Sequence, residues 1–127
     1  MNLPFEEVRL SLPHIELAAH LYGPADGQPV IALHGWLDNA ASFARLAPKL
    51  PGLRIVALDF AGHGHSDHRP LGASYAIWDY VHDVLQVAEQ FGWQRFSLLG
   101  HSMGAIVSVL LAGALPERVE RLALIDG

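Results

Sequence analysis

The chain has 127 residues, of which 51% are apolar and 17% charged, and its net charge is −5 from 8 basic and 13 acidic residues. That balance excludes a disordered polypeptide, and without any Lys/Arg cluster it argues against a nucleic-acid surface or an anionic-membrane anchor. There is no cysteine, hence no disulfide frame or thiolate chemistry. Met1–Glu7 lack a basic segment followed by a long apolar one, so no signal peptide is read, and no apolar run approaches the ~18 residues of a membrane span. The expectation is a soluble, cytoplasmic protein with a mean hydropathy of +0.25.

Residues 5–12 and 14–22, separated by Pro13, read as an antiparallel pair at a sheet edge, where proline is tolerated. Gly23-Pro24-Ala25-Asp26-Gly27 reads as a turn. Pro29–Leu33 then reads as a buried strand stopped by His34-Gly35. Asn39 is placed to cap a helix running to about Leu50, with Phe43, Leu46, Ala47 and Leu50 on one face and Pro48 distorting its last turn. Leu53–Leu58 is the next strand, and a Gly- and His-rich loop follows Asp59. Ser74 is placed to cap a second helix whose apolar stripe is Ile77, Val81, Val84, Leu85, Ala88 and Phe91, with Gly92 as its stop.

Phe96–Leu99 is a further buried run. Met103–Leu115, apolar almost all round, predicts an enclosed helix ended by Pro116, and Val119–Ile125 makes a last strand. Trp78 and Trp93 read as packing or surface residues, and Asp79, Asp83 and Glu89 as a solvated helix face. Strands alternating with helices of these lengths imply right-handed βαβ units on a mostly parallel, doubly wound sheet, in one domain. Continuous rather than alternating apolar runs suit strands covered on both faces.

Loops after the carboxyl ends of parallel strands share one rim, and ligands bind there. Three segments fall at such positions: His34-Gly35-Trp36, Asp59 to Pro70, and Gly100-His101-Ser102-Met103-Gly104. The last matches G-x-S-x-G between a strand and a helix. There a nucleophilic serine stands clear on a tight turn, and side chains at the flanking Gly100 and Gly104 would collide with the neighbouring helix and strand. The Met103 amide opens a helix, so its N–H faces a developing oxyanion, and a turn at Gly35 can bring the Trp36 N–H to the same place. The bland alternative makes Ser102 a helix N-cap between two packing glycines, and makes His34 and Gly35 a mere strand end.

Taken together, His34-Gly35-Trp36-Leu37-Asp38-Asn39, Asp59-Phe60-Ala61-Gly62-His63-Gly64-His65-Ser66-Asp67 and the Ser102 segment resemble the α/β-hydrolase superfamily, along the whole chain. The likeness is to serine esterases of the serine hydrolase-like and epoxide-hydrolase-like group. It implies a strand order 1-2-4-3-5-6, Ser102 after strand 5, and oxyanion donors from Trp36 and Met103. Serine, where related dehalogenases and epoxide hydrolases carry aspartate, implies acyl transfer to and from a small-molecule ester, with no cofactor and no metal. The triad acid in this family follows strand 6 or strand 7, so it is either Asp126 or a residue later than the chain given. The catalytic histidine follows strand 8, and no histidine follows Ser102 here.

His101 adjoins the serine but points elsewhere, and His34 supports the loop. The expectation is therefore the N-terminal part of a longer hydrolase core, truncated after strand 6, nearly inactive alone, with a last strand open to self-association. Two rivals stand beside it. One is a binding module or pseudoenzyme on the same fold. The other is a zinc hydrolase using His63, His65, Asp67 and His68, which spell H-x-H-x-D-H.

Overall fold

The computed structural model describes residues 5–35, 39–67 and 77–125. Six strands form one sheet: β1 (Glu6–Ser11), β2 (Glu16–Tyr22), β3 (Gln28–Leu33), β4 (Leu53–Leu58), β5 (Phe96–His101) and β6 (Val119–Ile125), in the order β1-β2-β4-β3-β5-β6. β1 and β2 are an antiparallel hairpin and β2 meets β4 antiparallel, whereas β4–β3, β3–β5 and β5–β6 are parallel. The expected edge hairpin, the mostly parallel sheet and the expected order are all present.

The central strands β3 and β4 carry unbroken apolar runs, Val30–Leu33 and Ile55–Leu58, because each of their faces is covered. Ile31, Leu33, Val56 and Leu58 face the helices α1 (Ile77–Gln90) and α2 (Met103–Ala114), within a core that also holds Leu17, Phe60, Tyr80, Val84 and Leu98. The alternate residues Val30, Ala32, Ile55 and Ala57 face Ala40, Phe43 and Ala47 on the other side. The period of two along a strand thus divides one apolar run between two cores.

Three expectations are corrected. Asn39 does cap a helix start, its Oδ1 accepting the Ala41 N–H at 2.9 Å, but two short 3₁₀ turns, Ala40–Phe43 and Ala47–Lys49, replace a single helix to Leu50. Pro48 has no N–H to donate, and its ring would strike the carbonyl four residues back in a continuous α-helix. Asp83 is not on a solvated face: it is fully buried in α1, whose covered stripe is Tyr80, Val81, Val84, Val87 and Ala88. Glu89 is exposed and pairs with Arg118.

The third correction concerns α2, which is covered along one side only. Val107, Ser108 and Leu111 are buried while Ile106 and Val109 are exposed. β6 is similarly open, with Leu122, Leu124 and Ile125 exposed at the sheet edge. Trp78 is exposed, and Trp93 packs against the core and stacks on Phe91. Ser74 lies outside the described residues. No helix among the described residues is long and apolar enough to cross a membrane.

Candidate active site

β3 lies between β4 and β5, so the loops that follow the carboxyl ends of β3 and β5 stand side by side where the strand order reverses, the usual place for a ligand in such a sheet. Leu33 and Gly100 are register partners at that end, and Ser102 lies between β5 and α2. Ser102 has φ 55° and ψ −116°, the one non-glycine residue among those described with positive φ. Such a conformation costs on the order of 1–3 kcal/mol and persists only where surrounding structure enforces it.

Here the enforcement is close packing. A Cβ on Gly104 would lie 2.1 Å from the Leu33 carbonyl oxygen, and one on Gly100 would lie 2.6 Å from that of Gly104. The Gly104 N–H also donates to the His34 carbonyl at 3.0 Å, tying α2 to the end of β3.

The serine hydroxyl makes no capping bond to α2, which removes the reading of Ser102 as an ordinary N-cap. The Ser102 carbonyl accepts from Ala105 and Ile106 at 2.9 and 3.2 Å. With Gly104 committed to His34, the Met103 N–H is the amide at this helix end without a backbone acceptor among the described residues. Gly35 completes the approach: a Cβ there would sit 3.1 Å from the Ser102 Cβ and 3.6 Å from its Oγ. The β3 loop therefore passes directly beside the hydroxyl. Trp36, Asp126 and His68 lie outside the described residues.

His34 is fully buried, and its tautomer follows from its neighbours. Nε2 accepts the Phe60 N–H at 2.9 Å, so the ring proton is on Nδ1, which donates to the Gly35 carbonyl at 2.6 Å. Both ring nitrogens are committed, and His34 holds the β3 loop to the end of β4.

The loop after β4 has its own brace, which sequence reasoning did not single out. Asp59 is buried, and its carboxylate accepts the Ala40 N–H at 2.6 Å and the His65 N–H at 3.0 Å. Gly64 passes so close that a Cβ would fall 2.4 Å from the carboxylate carbon. The buried Ser66 hydroxyl donates to the Asp59 carbonyl at 2.6 Å and accepts the Ala18 N–H at 2.7 Å, linking β4 to β2. The pattern D-x-x-x-x-G-H-S at a strand end was the available signal.

This brace also answers the zinc reading for the residues that are described. His63 is buried with Nδ1 3.0 Å from the Ala61 carbonyl, His65 turns to Glu7 at 2.9 Å, and Asp67 turns to Arg9 at 2.8 Å. These three do not converge as ligands. A groove of about 490 Å³ lies elsewhere, along the β3–β5–β6 face by Val30, Leu50, Leu99 and Ala123, and does not include Ser102.

Comparison with known proteins agrees with this architecture. The chain is 48% identical over 127 residues to a serine hydrolase-like protein of Danio rerio, covering 99% of this chain and 39% of that protein. A crystal structure of a hypothetical protein from Pseudomonas aeruginosa PAO1 matches with 85% identity and a TM-score of 0.94, over 96% of this chain and 43% of that one. A membrane phospholipase A superposes with a TM-score of 0.92 at 30% identity, over 98% of this chain and 41% of its own. The chain thus spans about two-fifths of the length of these relatives. Residues 28–127 match the model of the alpha/beta hydrolase fold, and the chain belongs to that family.

Proposed function

We propose that these residues carry the nucleophile and the oxyanion-binding amides of a serine hydrolase that cleaves carboxylic esters, as the N-terminal part of a single core domain. The observation that carries the proposal is Ser102 itself, held at φ 55° with its hydroxyl unspent on the helix and Gly35 beside it. Ser102 Oγ attacks the acyl carbon, the carbonyl π electrons move to oxygen, and the Met103 and Trp36 amides receive that oxyanion. Each such donor is worth roughly 3–4 kcal/mol of barrier. Collapse of the tetrahedral intermediate expels the alcohol, which takes a proton, and water then releases the acid from the acyl-serine by the same route.

The proton from Ser102 goes to a histidine outside the chain given, because none follows Ser102 and His34 has no free nitrogen. Asp126 or a later carboxylate orients that base. The name of the phospholipase relative supports ester chemistry. A second reading, a binding module without turnover, is favoured by the same missing histidine.

A fluorophosphonate probe on the longer protein separates the two. Labelling that disappears in Ser102→Ala is expected; folded protein that takes no label would leave only the binding module. The 127 residues alone are expected to react slower by orders of magnitude, since the hydroxyl lacks its base.

A further inference from the structure

The geometry points to a second site, unrelated to Ser102: His14, His82 and Asp83 form a binding site for a divalent transition-metal ion, zinc above all. His14 stands at the tip of the β1–β2 hairpin, and His82 and Asp83 are consecutive residues in the middle of α1. One ring nitrogen of each histidine and one oxygen of Asp83 all lie within 4.8 Å of one another, the one such trio among the described residues. The two imidazole rings are 5.4 Å apart between centroids and inclined at 47°.

Consecutive helical side chains diverge by about 100°, yet the ligand atoms of His82 and Asp83 lie within 4.8 Å of each other and of a His14 nitrogen. The hairpin supplies this third group, since His14 Nε2 is already 2.7 Å from Asp83 Oδ1.

The partition of burial suits a metal. The Asp83 side chain is fully buried in an apolar helix face, while the side chain of His14 is 36% exposed and that of His82 is also exposed. Two exposed imidazoles can therefore close on a buried oxygen by side-chain rotation. Zinc bonds of about 2.0–2.2 Å in a tetrahedral arrangement place neighbouring ligand atoms about 3.4 Å apart. That spacing lies between the 2.7 Å hydrogen-bonded contact and the 4.8 Å outer separation. Modest side-chain rotation suffices, the hydrogen between Nε2 and Oδ1 giving way to the ion. Two imidazoles and one carboxylate favour zinc, nickel or copper over calcium or magnesium, which prefer all-oxygen shells. Three protein ligands at a surface leave the fourth position to water. Bound metal would clip the hairpin to α1 across 68 residues of chain (14 to 82), restricting the unfolded state.

Zinc chloride titrated into the metal-free protein by calorimetry, with cobalt(II) absorption as a second reading, tests this. The expected result is one ion per chain, visible cobalt bands of a low-symmetry site, and a higher melting temperature in zinc. His82→Ala removes an exposed side chain and should weaken binding about tenfold or more with an unchanged circular dichroism spectrum. His14→Ala should do the same, and Asp83→Asn, which keeps the side-chain volume, should weaken it too. His65→Ala, a surface histidine elsewhere, should change nothing. No saturable binding, or binding equally strong in His14→Ala and His82→Ala, would overturn the assignment and leave an ordinary His14–Asp83 hydrogen bond.

Discussion

Two short runs in this chain are nearly interchangeable as sequence: Val30-Ile31-Ala32-Leu33 in β3 and Leu122-Ala123-Leu124-Ile125 in β6. In the fold they are opposites. Ile31, Ala32 and Leu33 are 0% exposed, whereas Leu124 is 52% exposed. β3 lies between β4 and β5 with helices on one face and the 3₁₀ turns on the other; β6 has β5 as its one described strand neighbour. An apolar run therefore states what a strand needs, and only its position in the sheet decides whether the need is met. The same split divides α2, where the N-terminal turn is wedged against β3 and the Ile106–Val109 side is open.

The sharpest way to break this comparison is within α2. Gly104→Ala puts a methyl group 2.1 Å from a backbone oxygen that cannot yield, and should cost more than about 4 kcal/mol in urea unfolding. Gly113→Ala, nine residues on in the same helix, meets nothing within 4 Å and should be neutral or stabilise by up to about 1 kcal/mol. Equal effects would refute the asymmetry.

Truncation of the two strands comes next in size. Leu33→Ala should lose about 2–5 kcal/mol, and Leu124→Ala should stay within about 0.5 kcal/mol of the parent. A large loss at Leu124 would mean that the β6 side is covered in solution.

The smallest effect concerns charge at the margin of the braced region. The hydrogen bond between His65 and Glu7 holds the glutamate below its ordinary value and raises the histidine, which also feels the Glu7 and Asp59 charges. The glutamate's contribution is present above its unfolded pKa and fades as pH falls through the lowered folded one. The histidine's is complete below its unfolded pKa and fades as pH rises through the raised folded one. The pair therefore acts in mildly acid solution, weakly because both groups are solvated, and less at high salt. NMR titration should find the His65 pKa lowered by Glu7→Gln; an unmoved titration would show that the pair is not formed.

Much of the architecture was legible along the chain. β4 and β6 fall on their expected residues, and G-x-S-x-G between an apolar run and an apolar helix located Ser102, because close packing at such a turn admits glycine alone on either side. Less legible were the roles of polar residues. Asp59 read as a strand end and Asp83 as a solvated position, yet the first receives two backbone N–H groups and the second is paired with a histidine 69 residues away. The histidine is remote from Asp83 in the chain, so no spacing rule could announce that pairing, whereas Asp59 had only its short loop pattern to mark it.

The sequence by itself determined the alternation of strand and helix, the edge hairpin and the glycine-flanked serine, since these depend on periodicity, turn chemistry and sterics within a few residues. Tertiary structure decided the rest: that Pro48 leaves two 3₁₀ turns, that both nitrogens of His34 are consumed in bracing, and that α2 is covered along one side only. Burial and hydrogen-bond partnership depend on what distant segments place alongside a residue, and a linear reading carries only each residue's half of that contact.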